Sequence, residues 1–184
     1  SKPAFAFGFS GLILFFILHG ISHYEAKKQE KLIVYNVPGL PAIDFIKGKQ
    51  AFFTGDEAIL KDEFILNFHL KPSRIYHRVN HAEYDISKQH SSRFFEYGNY
   101  KIAMIPTSIN NMDTTTRQPI DLVIVSGKSF LDMPGLLKAF KIKQMVMDGS
   151  VPAYSINRWK PYLDQHQIPY HHVAEKGAFV FNPN

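Results

Sequence analysis

The sequence predicts an α/β domain with a mixed sheet, preceded by one transmembrane helix. Three observations support this. Residues 4–21 are almost uniformly apolar, strand pairs joined by short turns dominate the next part of the chain, and alternating strands and helices dominate the last part. The 184 residues are 45% hydrophobic and 14% aromatic. That composition is enough for one packed core, and it excludes two large domains and wholesale disorder.

Composition also excludes several kinds of chemistry. The chain has no cysteine, which excludes disulfide scaffolds, cysteine-based zinc fingers, iron–sulfur clusters and thiol catalysis. It contains no G-x-G-x-x-G, Walker or G-x-S-x-G pattern, so no nucleotide cofactor and no serine hydrolase is indicated. We expect no cofactor, and a metal site would have to be built from His, Asp and Glu.

The first element, residues 1–24, is predicted to be the transmembrane helix. Ala4 to Ile21 gives 18 residues with Ser10 and His19 as the clearly polar ones, and at ~1.5 Å per residue such a helix is about 27 Å long, close to the hydrocarbon thickness of a bilayer. The alternatives are a cleaved signal peptide and a buried core helix. The apolar run is not followed by the small-residue cleavage site that a signal peptide has. Because the chain begins Ser-Lys-Pro, we expect a fragment of a longer protein whose earlier helices are missing.

Residues 25–31 are predicted to be a polar linker, and residues 32–184 to form the soluble domain. Its early elements are a strand at Leu32–Tyr35, hairpins at Ala42–Lys47 with Gln50–Thr54 and at Arg93–Tyr97 with Tyr100–Ile105, and between them a helical pattern at Glu57–Phe68 that Pro72 ends. Its later elements are strands at Ile120–Val125, Gln144–Met147, Tyr170–Val173 and Ala178–Phe181, with helices at Met133–Phe140 and Ser155–His166. The strand, helix and strand from Ile120 to Met147 predict a parallel pair.

Carboxylates and histidines are the candidate site residues. Asp56 is predicted to cap the helix that starts near Glu57, and Asp132 to cap the helix entered at Met133 or to remain from a lost ligand set. His77 and His81, with Asp85 further on, have a spacing that would suit a metal on a helix, but we interpret Ile75–Val79 as a strand, where residues four apart lie roughly 13 Å from each other. His171 and His172 are adjacent in a predicted strand, so they cannot easily share an ion.

Five lysines are candidate contacts to DNA phosphates. They flank the first hairpin turn and crowd the later helix and its exit: Lys47, Lys49, Lys138, Lys141 and Lys143. Such clusters bind phosphates in a salt-sensitive way. Ordinary solubility charge is the alternative, because the whole chain carries a net charge of only +5.

Two segments resemble a known family. LIVYNVPGLPAIDFIKGKQAFFTGD, residues 32–56, resembles the opening strand, turn and hairpin of metallo-β-lactamase-like domains in ComEC-type DNA-internalisation proteins. IDLVIVSGKSFLDMPGL, residues 120–136, looks like that family's strand followed by S-H-x-H-x-D-H-x-G-G. Aligned on Ser126 and Gly135, the family's metal ligands fall on Gly127, Ser129, Leu131 and Asp132, and a catalytic zinc needs about three protein ligands. The resemblance therefore implies a degenerate, metal-free domain.

The resemblance implies a non-catalytic part in uptake of transforming DNA at the plasma (inner) membrane of a bacterium. The expected partners are the membrane, the missing N-terminal transmembrane part of the same protein, and possibly DNA. Two alternatives stay open. One is a metal-dependent nuclease built from Asp56, Asp132, Asp148 and histidines, which would degrade the strand that is not imported. The other is a membrane-tethered interaction domain unrelated to DNA.

Overall fold

The computed structural model describes residues 2–84, 93–105, 117–127 and 131–183. The strands, in chain order, are β1 Glu30–Val34, β2 Ala42–Lys47, β3 Gln50–Gly55, β4 His81–Tyr84, β5 Arg93–Tyr97, β6 Tyr100–Ile105, β7 Gln118–Val125, β8 Phe140–Met147, β9 Tyr170–His172 and β10 Phe179–Phe181. The helices are α1 Lys2–Lys28, α2 Glu57–Lys61, α3 Glu63–Ile65, α4 Lys71–Tyr76, α5 Met133–Ala139, α6 Ala153–Gln165 and α7 Val173–Lys176.

Helix α1 is the membrane-spanning candidate. Its segment Phe7–Lys28 is long and apolar enough to cross a bilayer, and its apolar side chains are exposed rather than packed on the domain. The helix runs to Lys28 and β1 begins at Glu30, so the predicted linker at residues 25–31 is mostly helix and strand. The physical reason is that Glu25-Ala26-Lys27-Lys28 are all strong helix formers, so the helix continues through them.

The strands form two mixed five-stranded sheets instead of one. The first has the order β10-β1-β2-β3-β4, and the second has the order β5-β6-β7-β8-β9. In the first sheet all pairs are antiparallel except β3 with β4, and in the second all are parallel except β5 with β6. Both predicted hairpins are confirmed, as is the parallel pair around α5. Gly48 supplies the positive φ (+59°) that the first hairpin turn requires.

The two sheets pack face to face with helices outside. Leu32 and Ile43 of the first sheet meet Ile102 and Leu122 of the second in a shared core. The outer face of the first sheet packs against the helical segment 57–76, and the outer face of the second packs against α5 and α6, around the fully buried Trp159. The result is four layers, each burying its apolar faces on a neighbour.

The segment 57–76 departs from the prediction. A π-helical turn, Leu66–Leu70, continues directly into α4, and Pro72 lies in the first turn of α4 rather than after a helix end. Proline is tolerated there because its missing N–H has no intrahelical partner at that position. The interpretation of Ile75–Val79 as a strand is therefore wrong: the helix runs to Tyr76, and His77 caps its end.

A buried ion pair fixes α4 to the first sheet. Arg74 donates from Nε to Asp44 Oδ2 at 2.8 Å and from Nη2 to Asp44 Oδ1 at 2.9 Å, and the Tyr35 hydroxyl donates to Asp44 Oδ2 at 2.8 Å. Asp44 is fully buried and Arg74 is 8% exposed. The guanidinium also lies 5.7 Å from the ring centroids of Phe53 and Tyr84. Burial alone would lower the pKa of Arg74, but the bonds to Asp44 raise it, so the guanidinium stays charged inside the protein.

A tyrosine connects the two sheets. The hydroxyl of Tyr97, in β5, lies 2.7 Å from the carbonyl oxygen of Ile46 and 3.1 Å from that of Lys31. Burial, with a smaller effect of Glu30, raises the pKa of Tyr97 to about 12. The protonated hydroxyl is therefore the form that the fold selects.

Candidate functional site

Four buried polar residues lie where three parallel strands of the second sheet end. Ser126 follows β7, Asp148 and Ser150 follow β8, and His172 ends β9. Each is less than a tenth exposed, and Asp148 is fully buried. The carboxyl ends of parallel strands meet at one edge, where open α/β sheets usually bind their ligands. These four residues, the strand-end cluster, are the candidate site.

Hydrogen bonds in this cluster join the end of β7 to the end of β8. The Gly127 N–H donates to Ser150 Oγ at 2.5 Å, the Ser150 hydroxyl donates to Asp148 Oδ1, and the Ser150 N–H donates to the same oxygen at 2.9 Å. Asp148 Oδ2 accepts no well-oriented hydrogen bond from the described part of the chain. Burial raises the pKa of Asp148, and the hydroxyls of Ser126 and Ser150 and the nearby His172 offset this only in part. The Asp148 carboxyl therefore holds its proton more strongly than an exposed aspartate does.

His172 is the second ligand-type side chain of the cluster. It is 4% exposed, and within residues 2–84, 93–105, 117–127 and 131–183 neither ring nitrogen has a hydrogen-bond partner. The carboxylate of Glu175 lies close to it, with Oε1 3.6 Å from Nδ1. His171 lies on the opposite face of β9, where its Nε2 is 2.9 Å from the carbonyl oxygen of Gly177. The two imidazoles therefore have different surroundings, and that they do not share an ion stays a prediction.

The four positions aligned with the family's metal ligands offer few donors. Gly127 has a positive φ (+76°) and contributes only its N–H. Leu131 is an apolar core residue, 4% exposed, and Ser129 lies outside the described residues. Asp132 stands at the start of α5 but is exposed, and its side chain accepts no hydrogen bond from the first turn. The predicted capping role is therefore wrong for the Asp132 carboxylate.

The remaining candidate ligands are dispersed. Asp56 caps α2 as predicted, accepting from the Ala58 N–H at 2.9 Å. His77 ends α4, whereas His81 begins β4 with its side chain 3.7 Å from Glu83, and Asp85 lies outside the described residues. In the part of the chain that the structure describes, three or more His, Asp or Glu side chains nowhere gather closely enough to hold a metal ion.

Comparison with protein-family models gives a match over residues 32–183, to the model of the ComEC C-terminal domain. The chain belongs to the ComEC C-terminal domain family. A ComEC C-terminal domain is part of a larger membrane protein, and membership indicates involvement in competence DNA uptake. Comparison with curated proteins and comparison with solved structures give no match.

Three of the five candidate lysines of this ComEC C-terminal domain already have partners within the chain. Lys47 lies 3.7 Å from the carboxylate of Glu30, and Lys143 lies 2.5 Å from that of Asp121. Partial burial acts to raise the pKa of Asp121, but its hydrogen bond to Lys143 lowers that pKa, in agreement with an ion pair. Lys49 points towards the end of α1.

Lys138 and Lys141 are exposed and form no ion pair with any residue that the structure describes. Lys138 lines an open groove of about 580 Å³ between α5 and α6, which contains two further basic side chains and one exposed tyrosine: Arg117, His166 and Tyr162. No local pattern in the sequence predicted this groove, because its residues come from three distant segments. It lies at the amino ends of the parallel strands, opposite the strand-end cluster.

Proposed function

We propose that this chain is the non-catalytic C-terminal domain of a membrane DNA-uptake protein and that it guides DNA across its surface beside the channel. In this proposal residues 1–24 lie in the bacterial plasma membrane and residues 32–184 form a degenerate metallo-β-lactamase-like domain. Two face-to-face sheets with helices outside support that fold. The hairpins at the start of each sheet and the parallel strands that follow agree with the resemblance in residues 32–56 and 120–136.

The observation that carries the non-catalytic role is the buried, apolar Leu131 at a position where the family motif has a ligand. Gly127 has no side chain. Asp132, the residue directly after Leu131, is exposed to solvent. A catalytic zinc needs about three protein ligands and an open position for water. Asp148 and His172 supply two ligand-type side chains, and both are sealed from solvent. The donor set therefore does not fit a hydrolytic metal centre.

The groove between α5 and α6 is the surface that best suits DNA. Arg117 and Lys138 can neutralise phosphates, and the exposed ring of Tyr162 offers a face on which a base can stack. Because the groove lies at the edge opposite the strand-end cluster, a strand bound there stays away from Asp148 and His172. This separation favours guidance over cleavage.

DNA binding by the full chain in detergent can be measured by fluorescence anisotropy across a salt series. Binding should weaken as salt rises, with little sequence preference, and Arg117→Gln with Lys138→Gln should reduce the slope of log K against log salt by about two. Lys61→Gln with Lys71→Gln, two exposed lysines on the helical segment that packs on the first sheet, is the matched control and should leave the slope unchanged. Equal slopes for both double variants would reject the groove. Absence of salt-dependent binding would instead favour an interaction domain unrelated to DNA.

The nuclease remains the second candidate, and one observation favours it. Asp148 Oδ2 and both nitrogens of His172 form no well-oriented hydrogen bond with the described residues, as side chains that hold a metal would. Metal content after purification, and cleavage of single- and double-stranded DNA with Zn²⁺, Mn²⁺ or Mg²⁺, decide between the two. We expect no stoichiometric metal and no cleavage. About one metal per chain, with cleavage lost in Asp148→Asn but kept in Asp56→Asn, would establish the nuclease.

A further inference from the structure

The end of α1 is fixed to the soluble domain by backbone contacts. Gln29, directly after the helix, donates from Nε2 to the carbonyl oxygens of Gly48 at 2.8 Å and His77 at 2.5 Å. The Gly48 N–H donates in return to the carbonyl oxygen of Gln29 at 2.8 Å. The first hairpin turn and the end of α4 therefore lie beside the last turns of the membrane-spanning helix.

Two cations face one histidine at this junction. Lys49 Nζ lies 3.1 Å from His23 Nδ1, Arg78 Nη1 lies 3.3 Å from His23 Nε2, and Arg78 Nε donates to Ser22 Oγ at 3.2 Å. A neutral imidazole has one lone pair and one N–H, so it can accept a hydrogen bond from only one of the two cations. Within the described ranges, neither Lys49 nor Arg78 pairs with a carboxylate. One of the two cations therefore has a donor that His23 cannot satisfy, and no described carboxylate lies within ion-pair distance of either cation.

A pocket of about 290 Å³ opens next to these side chains. Ser22 and Arg78 line it together with a further cation, Lys31, and one acid, the exposed Glu25. Arg78 has a positive φ of 54°, which is uncommon for a residue other than glycine. The pocket is large enough for a phosphate group with its ester substituents, and cations exceed acids around it.

Exposed apolar side chains lie on the helical segment that leads into this pocket. The aromatic and aliphatic residues concerned are each more than half exposed: Phe64, Phe68, Ile75 and Tyr76. Tyr76 also lines the pocket itself. Tyrosine is enriched at the level of lipid headgroups, and basic side chains next to a spanning helix attract anionic lipids.

We propose that Ser22, Lys49 and Arg78 form a binding site for the phosphate of an anionic phospholipid headgroup. The phosphate oxygens would accept from the cation that His23 leaves unsatisfied and from the remaining guanidinium N–H groups. The lipid is favoured over free phosphate because the site lies at the end of the spanning segment, with Ile75 and Tyr76 exposed beside it. Such a site would hold the domain in one orientation on the membrane surface.

Native mass spectrometry of the full chain in detergent tests this with three probes: phosphatidylglycerol, phosphatidylcholine and inorganic phosphate. We expect phosphatidylglycerol to be retained preferentially. Lys49→Gln or Arg78→Gln should weaken its binding about fivefold each, the factor expected for one basic side chain near an anionic surface. Lys47→Gln, across the same turn, is the matched control and should change nothing. Equal binding of both lipids, or an equal loss in Lys47→Gln, would overturn the proposal, and equal competition by inorganic phosphate would overturn the lipid assignment.

A second variant keeps the test independent of folding defects. His23→Glu places a carboxylate between Lys49 and Arg78, so it should abolish the preference for phosphatidylglycerol while the melting temperature stays equal or rises. Preference retained in His23→Glu would contradict the proposed site. The groove with Arg117 and Lys138 is untouched by these variants, so DNA binding and lipid binding can fail separately.

Discussion

Removal of the Arg74 guanidinium should destabilise this domain more than any exposed charge change. Arg74→Met keeps the length and apolar part of the side chain but leaves the fully buried Asp44 carboxylate with the Tyr35 hydroxyl as its one remaining described partner. Breaking a buried pair from one side costs about 3–5 kcal/mol. For a chain of this size that corresponds to a fall in melting temperature of about 6–20 °C.

Thermal unfolding of the full chain in detergent, followed by circular dichroism, measures this loss. The matched control is Lys61→Met, which breaks an ion pair of the same 2.8 Å length to Glu57, with side chains 71% and 50% exposed. That change should cost less than about 1 kcal/mol. Adding Asp44→Leu to Arg74→Met should restore part of the loss, because no unpaired charge then stays buried. Equal effects of Arg74→Met and Lys61→Met, or additive losses in the double variant, would refute the reasoning.

Three further predictions concern the spanning helix, a helix cap and a titrating tyrosine. Leu14→Arg with Phe15→Arg adds about 2.5–3.5 kcal/mol per residue at the helix centre and should release the chain in membrane fractionation; recovery of the parent chain as a soluble monomer without detergent would contradict the spanning role. Asp56→Ala should cost about 1 kcal/mol in denaturant unfolding through loss of the α2 cap, and an unchanged midpoint would show that the cap contributes nothing. Because Tyr97 titrates at about 12 in the fold but near 10 when unfolded, its contribution to stability is complete below pH 10 and is lost as pH rises towards 12. The decline in stability over that range should be shallower in Tyr97→Phe, and parallel pH profiles would contradict the assignment.

Local signals predicted the hairpins and the parallel pair. Gly48-Lys49 and Gly98-Asn99 each lie between two alternating apolar runs, which is typical of a hairpin turn. A short apolar strand followed by a helix and a second strand usually forms a parallel pair. The division into two sheets could not be predicted, because β4 joins the first sheet by pairing in parallel with β3 across the whole segment 57–76. The prediction that Pro72 ends a helix was wrong because proline is also favoured in the first turn of a helix, which is where Pro72 lies in α4.

The candidate site was predictable only as a set of residue types. The sequence predicted Asp148 as a candidate metal ligand. No neighbouring residue in the sequence indicated that its carboxyl would be buried close to His172. Burial depends on the long-range pairing of β8 with β9, and Ser126 and Ser150 have the composition of ordinary loop residues. The sequence analysis did not predict the groove residues Arg117, Tyr162 and His166. A groove between two helices depends on how they pack, and the sequence of either helix alone does not show this.

Strand β10 has a consequence for the order of biosynthesis. It pairs antiparallel with β1, Leu32 opposite Phe181, so the first sheet includes the last of the described strands in chain order. While β10 is still inside the ribosome, β1 has a free edge and its hydrogen-bonding groups are unpaired. In the proposed membrane setting, α1 is by then already available to the bilayer, and the nascent domain keeps one open edge until synthesis has passed Phe181. The proposal therefore has the first sheet completed after membrane insertion.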